Sequence, residues 1–280
     1  MTACMSTLST PTSLNNHKSE VETWEHINEL MKLLSACDFN LQSRWLGRME
    51  SGYSLKANEM SVLDVLDWFA WSRSSLATIP QEHLVSASEF IDYQASKGFD
   101  PMMQSIILNT LDDLIPGTDI CLWISFSIRE RMFTHDRSKL KTPEVEIFTE
   151  WTPQLRNVTY GSEEYHSMLR SIAPALTHHY AHNRHHPECF KDGVSGMNLI
   201  DLLEMIADWK ASTLRHADGD ILRSIEINRD RFKLSDQVTQ ILTNTVSLLE
   251  PPFTGVKTQR DLHRESSTSI DRLKPLRRSS

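Results

Sequence analysis

From Trp24 to about residue 248 the apolar residues recur every three or four positions, and alternating runs of β-branched residues do not occur. That period is helical, so the chain is read as all-α. Residues 20–50 carry Trp24, Ile27, Leu30, Met31 and Leu34 at helical spacing, and SVLDVLDWFAW (61–71) is a second, strongly apolar helix. Ser86 and Glu89 have capping-box spacing and would open a third. Further helices are expected over about 102–115, 119–133, 143–150, 162–186, 198–216, 219–231 and 235–248. Four segments follow from this. Residues 1–19, rich in Ser, Thr, Pro and Asn, are expected to be disordered. Residues 20–100 form an N-terminal helical region whose tryptophans (Trp24, Trp45, Trp68, Trp71) serve core packing, with FDP at 99–101 as a hinge. Residues 101–250 form a helical domain, and 251–280 a basic disordered tail.

Charge and composition exclude several classes. A net charge of −8 over 280 residues does not suit a protein that coats nucleic acid. The last 24 residues hold seven Lys/Arg against three Asp/Glu, which reads as a solvated end rather than a nucleic-acid arm. The best apolar run, ICLWISFSI at 120–128, is half of the ~18–20 residues a membrane helix needs. No secretory signal is visible at the N-terminus. Cys4, Cys37, Cys121 and Cys189 are scattered and frame neither a disulfide scaffold nor a zinc finger. A reduced, cytoplasmic protein without a membrane partner is expected.

HHYAHNRHHPE (178–188) places five of the chain's twelve histidines within nine positions. On the helix expected over 162–186, which Ser162 can cap and Pro174 can kink, Tyr165, Met168, Ile172 and Leu176 mark the buried stripe. Continued, that stripe runs through His179, Asn183 and His186. His182 is i,i+3 from His179 and i,i+4 before His186, and imidazoles so spaced can converge on one metal ion. A metal or phosphate site is preferred over a mixture of surface and core histidines. Imidazole suits several metals, so the pattern does not name one. Glu188, just after the helix-stopping Pro187, is a further candidate.

Carboxylates would complete such a site. Asp201, Glu204 and Asp208 share one face of the next helix, opposite Leu199, Leu202, Leu203 and Ile206. A carboxylate row of this kind is usually solvated, but Met205 and Trp209 flank it and suggest burial on more than one side. Asp208 leads the three. Earlier in the chain, His135 and Asp136 offer an imidazole and a carboxylate from one helix end, with Lys139 a turn later.

Taken in order, HDxxK (135–139), HH (178–179) and DxxA (208–211) resemble the HD superfamily of metal-dependent phosphohydrolases. The spacing is closest to its HD-GYP phosphodiesterases, although no GYP follows, and either 178–179 or 185–186 can stand for the family's HH. A closer resemblance is to a mostly bacterial and phage family without an established substrate. Its motifs match HDRSKL (135–140), TYGSEEY (159–165), HHYAHNRHHPE (178–188) and DLLEMIADWKA (201–211). The match covers about residues 110–248 and omits the first hundred.

The resemblance implies an HD-type helical bundle with an additional N-terminal helical region. It implies one or two divalent ions (Mn, Fe, Zn, Ni or Mg) held by His135, Asp136, His178, His179, His182, His186 and Asp208. His185, Glu188, Asp201 and Glu204 would stand behind these ligands. The ions would acidify a water for attack on phosphorus. Asp136 would bridge the ions or orient that water, and Lys139, Arg184 and Lys210 would offset phosphate charge. The implied activity is that of a phosphodiesterase or nucleotidase acting on a small, nucleotide-like phosphate ester, and a homo-oligomer is compatible with it. Two other classes stay open: a helical binding protein with a closed structural metal site, and a di-iron oxygenase. The superfamily's histidine upstream of the HD pair is missing from NTLDDLIPGTD, where Asp112 or Asp113 could substitute. His26 is a remote candidate, expected at the surface. Cys189 stands where a histidine is expected and is read as accessory.

Overall fold

Five of the described helices begin where the sequence supplies a capping side chain. The computed structural model describes residues 11–47, 59–76, 98–115, 117–155, 162–214 and 219–249, and among these residues nine α-helices and no strand occur. They are α1 (Pro11–Gly47), α2 (Val62–Leu76), α3 (Pro101–Asp112), α4 (Ile120–Thr134), α5 (Glu144–Leu155), α6 (Glu163–His182), α7 (Leu199–Thr213), α8 (Ile221–Phe232) and α9 (Asp236–Val246). The all-α fold expected from the periodicity is the fold observed.

Asp100 accepts from the Met103 amide at 2.9 Å, and Pro101 starts α3 with its φ already helical. The Asp-Pro step expected as a hinge is therefore a helix start. Asp119 caps α4 and Ser235 caps α9 in the same way. Asn198 and Asp201 form a reciprocal capping box at the head of α7. Each such cap is worth about 1 kcal/mol.

α7 is the centre of the molecule. It packs against α1, α2, α3, α4, α8 and α9. Leu199 through Ala207 are all buried, so the helix has no solvated face along that stretch. Full burial of Leu202, Leu203 and Ile206 contributes about 1.5–3 kcal/mol each. α3 fixes the entrance to α7: the Asn109 amide donates to the carbonyls of Ser195 and Met197, and Thr110 Oγ1 accepts from the Leu199 amide. α5 and α6 pack on each other, and α5 also packs against α1.

Several boundaries differ from expectation. α1 begins at Pro11, so the disorder expected over 1–19 is replaced by helix from that residue. The chain's contacts divide only after Glu250, so the N-terminal helical region and the helical domain, separated at residue 100 on sequence, belong to one unit. α6 ends at His182 rather than His186. Trp68 is buried as expected for a core residue, whereas Trp24 is 38 % exposed. The helix expected at Ser86 and the tail over 251–280 lie outside the described residues. Among the described residues no helix is long and apolar enough to cross a membrane.

Candidate metal centre

α4 stops at Thr134, and the chain turns through His135 and Asp136 into a 3-10 turn over Arg137–Leu140. Asp136 has φ 55° and ψ 12°, the left-handed region that Asp tolerates better than most residues but still at a cost of about 1 kcal/mol or more. Both side chains of the pair are buried. Three other segments reach them. From α1, His26 Nε2 lies 2.8 Å from Asp208 Oδ1, 3.4 Å from His135 Nε2 and 3.6 Å from Asp136 Oδ2. From α7 come Glu204 and Asp208. From the end of α6 and the turn after it come His179, whose Nε2 is 3.3 Å from Asp136 Oδ1, and His185, whose Nε2 is 3.6 Å from the same oxygen. His186 Nε2 is 2.8 Å from His179 Nε2.

These donors form three overlapping groups whose atoms lie within 4.8 Å of one another: His26, His135, Asp136 and Asp208; Asp136, His179, His185 and His186; and His135, His185 and Glu204. Asp136 belongs to the first two. The donor chemistry fits a metal ion. Nε2 of His179 faces Nε2 of His186, an arrangement in which at most one proton fits between two nitrogens. Asp136 Oδ1 and His185 Nε2, 3.6 Å apart, are both buried without a hydrogen bond. Unpaired buried polar atoms are costly, and two that face each other mark a place where a cation would satisfy them.

The residues behind the donors orient them. Glu144 accepts from Nδ1 of both His178 (2.7 Å) and His179 (2.8 Å), which turns the His179 Nε2 lone pair toward Asp136. Glu204 accepts from His135 Nδ1 at 2.9 Å and leaves His135 Nε2 facing Asp136 and Asp208. Lys139 Nζ donates to Asp136 Oδ2 at 2.6 Å while 30 % exposed.

The electrostatics follow from this crowding. Burial alone would lower His135, but Asp136, Asp208 and Glu204 outweigh it and raise its pKa to about 10. Burial would raise the Asp136 carboxyl, yet His135, Lys139, His185 and His179 hold it well below the usual range. Asp208 is likewise depressed, against its burial, by His135, His26 and His185. Burial and then the neighbouring His185 push His186 down to about 2. The metal-free cluster thus holds ionised carboxylates with a proton kept on His135, a proton that a metal would displace.

Of the ligands expected on sequence, His135, Asp136, His179, His186 and Asp208 converge, and His178 and His182 do not. His182 is exposed, stacks on His178 at 4.0 Å and bonds the His178 carbonyl. His178 stops at Glu144. The physical reason is Asn183. Its amide donates to the His179 carbonyl and to Ser138 Oγ, and it closes the helix there, so the stripe does not continue as a helix to 186. The turn swings His185 inward instead, making a donor of a residue expected only in support. Arg184 is engaged with Asp201 and Asp113, so it is not free for substrate. Asp201 takes Arg131 and Arg184 and caps α7, and does not touch the donors. Glu188 is paired outward with Arg231 at 2.6 Å. Lys210 is half-buried on α7 and has no place in the described lining of the adjoining cleft. Asp113 pairs with Arg184 and Asn198, Asp112 is exposed, and Cys189 Sγ faces the Ala181 carbonyl.

Glu144 is the residue that sequence reasoning missed, and His26, named only as a remote candidate, was expected at the surface. His26 is 3 % exposed, not at the surface, and its Nε2 lies within 3.6 Å of Asp208, His135 and Asp136. Its signal was its spacing: His26, Leu30, Leu33, Cys37 and Leu41 lie on one buried stripe of α1. Glu144 carried no signal, since nothing in the sequence separates it from the exposed Glu146 two residues on.

The centre opens at His186 and Asp208 into a cleft of about 890 Å³ formed by α6, α7 and α8. A family model described as a family of unknown function, DUF5662, matches residues 118–248. The matched segment runs from just before α4 through α9 and leaves out α1, the helix that supplies His26. No curated protein and no solved structure matches the chain.

Proposed function

We propose that this protein is a metal-dependent phosphohydrolase that cleaves a phosphate ester at the Asp136 cluster. The observation that carries the reading is the pair of four-donor groups sharing Asp136, buried on one side and open to a cleft on the other. His26, His135, Asp136 and Asp208 would hold one ion, and Asp136, His179, His185 and His186 a second. Divalent ions so held supply Lewis acidity and an acidified water at neutral pH. Glu144 and Glu204 keep the ring tautomers that present Nε2 to the site. Lys139, partly exposed, donates to Asp136 Oδ2 at 2.6 Å and would offset charge at the cluster on exchanging that bond for a phosphate oxygen. The order HD, later histidines, final aspartate supports the HD-superfamily reading, and a nucleotide-like substrate rests on that resemblance.

The histidine-rich donor set also suits iron, which favours a di-iron oxygenase as the second reading. The open cleft argues against a purely structural metal, because structural sites are closed. The test is elemental analysis of wild type and Asp136→Ala, followed by assay on bis(p-nitrophenyl) phosphate and nucleoside monophosphates. Metal-dependent hydrolysis in the wild type, lost with the metal in Asp136→Ala, is the expected result. Iron with dioxygen uptake and no hydrolysis selects the oxygenase. A wild type that takes up no Mn, Fe, Ni or Zn sinks both.

A further inference from the structure

α4 is apolar on more sides than it packs. Trp123, Ile124, Ile128 and Met132 are buried, and the helix meets α1, α2 and α7. A surface helix ordinarily keeps polar residues on the side away from the core. Here the outer face carries Leu122, Phe126 and Phe133, which are 62 %, 71 % and 61 % exposed. Arg129 and Glu130, also exposed, complete that face. At about 100° per residue the five positions fall within an arc of about 100°. Leu122, Phe126, Arg129 and Phe133 have the alternating four-and-three spacing of a helix–helix seam. The face is also complementary to itself. When two copies of α4 lie antiparallel across a two-fold axis, residues whose numbers have the same sum meet. The sum that sets Arg129 against Glu130 also sets Phe126 against Phe133. It sets Leu122 against Arg137, whose guanidinium lies 4.4 Å over the Trp24 ring of its own chain. Arg129 bonds Asp38 of its own chain through Nε at 2.8 Å and is still 55 % exposed, so its fork of donors can reach a Glu130 carboxylate as well.

We infer that this outer face of α4 is the docking surface for the same face of a second copy of the chain, across a two-fold axis between Arg129 and Glu130. The adjacent opposite charges at the axis fit a copy of the same face, which returns each charge its opposite. A single helix pair about 22 Å long buries less than the roughly 1,200 Å² of a standard interface, so the dimer is weak and concentration-dependent. Sedimentation velocity of the full chain from about 1 to about 300 µM is expected to show a monomer passing into a dimer. Phe126→Glu should weaken the dimer at least tenfold. Glu130→Arg, which meets Arg129 of the other copy with a like charge, should weaken it at least threefold. Circular dichroism and the melting temperature check that both variants fold as the wild type does. The register has its own test. Phe126→Cys combined with Phe133→Cys should give a disulfide-linked dimer on mild oxidation, and either substitution alone should not. Seven residues span about 10 Å of helix, too far for a disulfide within one chain or between like positions of two. A wild type that stays monomeric over the whole range overturns the inference, and a melting temperature lowered by Phe126→Glu would then show that the chain itself covers the face. A dimer that both charge variants leave intact, or one that the double-cysteine variant does not cross-link, overturns it as well and places the contact elsewhere.

Discussion

Two buried carboxylate sites sit on α7, less than two turns apart, and they are built differently. Asp201 is met by the guanidiniums of Arg131 and Arg184 and by the Asn198 amide of the capping box. Asp208, with Asp136 and Glu204, is met chiefly by imidazoles, and the group leaves several buried atoms without hydrogen bonds. Arginine is always charged and has no lone pair to offer, so the first site is closed and serves the fold. Histidine can surrender its proton and turn a lone pair inward, so the second can exchange protons for a cation. The chemistry of the counter-charge separates the two.

Exchanging the carboxylates should expose the contrast most strongly. Asp136→Ala should weaken metal binding by more than about 100-fold, beyond the effect of removing an outer partner, read by elemental analysis after gel filtration. Asp201→Ala should leave metal content intact and lower stability by about 1.5–3 kcal/mol in denaturant unfolding, because Arg131 and Arg184 lose their shared carboxylate and α7 loses half of its capping box. Metal loss in the second variant and not in the first would invert the comparison. Glu144→Gln should loosen His179 and cost 10–100-fold in metal affinity without changing stoichiometry. A pH series sharpens the distinction further. With His135 raised to about 10, its stabilising effect in metal-free protein is complete below about pH 6.5 and lost as pH rises through 10. The metal-free melting temperature should therefore fall across that window, and bound metal, which needs neutral imidazole, should abolish the slope. The smallest effect belongs to His182→Ala: unchanged metal content and stability within about 0.5 kcal/mol, since the ring is exposed.

The helices were legible because each buries a stripe, and a stripe is written in the sequence. The HD pair and His179 were legible for a related reason: the pair ends a helix and His179 extends a buried stripe, whereas Asp208 was singled out by the flanking Met205 and Trp209 and His186 by a helix that stops short of it. The reading failed where a single side chain redirected the backbone. Asn183 closes α6, and no wheel drawn through it can tell that His185 turns in while His182 faces out. His26 was judged by its polarity rather than by the buried stripe it shares with Leu30 and Cys37. Glu144 became significant only through tertiary contact, because its partners lie 34 and 35 residues on.

The bond between His26 and Asp208 spans 182 residues. At a synthesis rate of roughly 5–20 residues per second, the histidine leaves the ribosome roughly 10–40 s before its partner exists. Until then a nascent chain can hold only fragments of the donor set. The complete set is therefore a late product of biogenesis, and a cation that requires all of it is captured only after Asp208 has emerged.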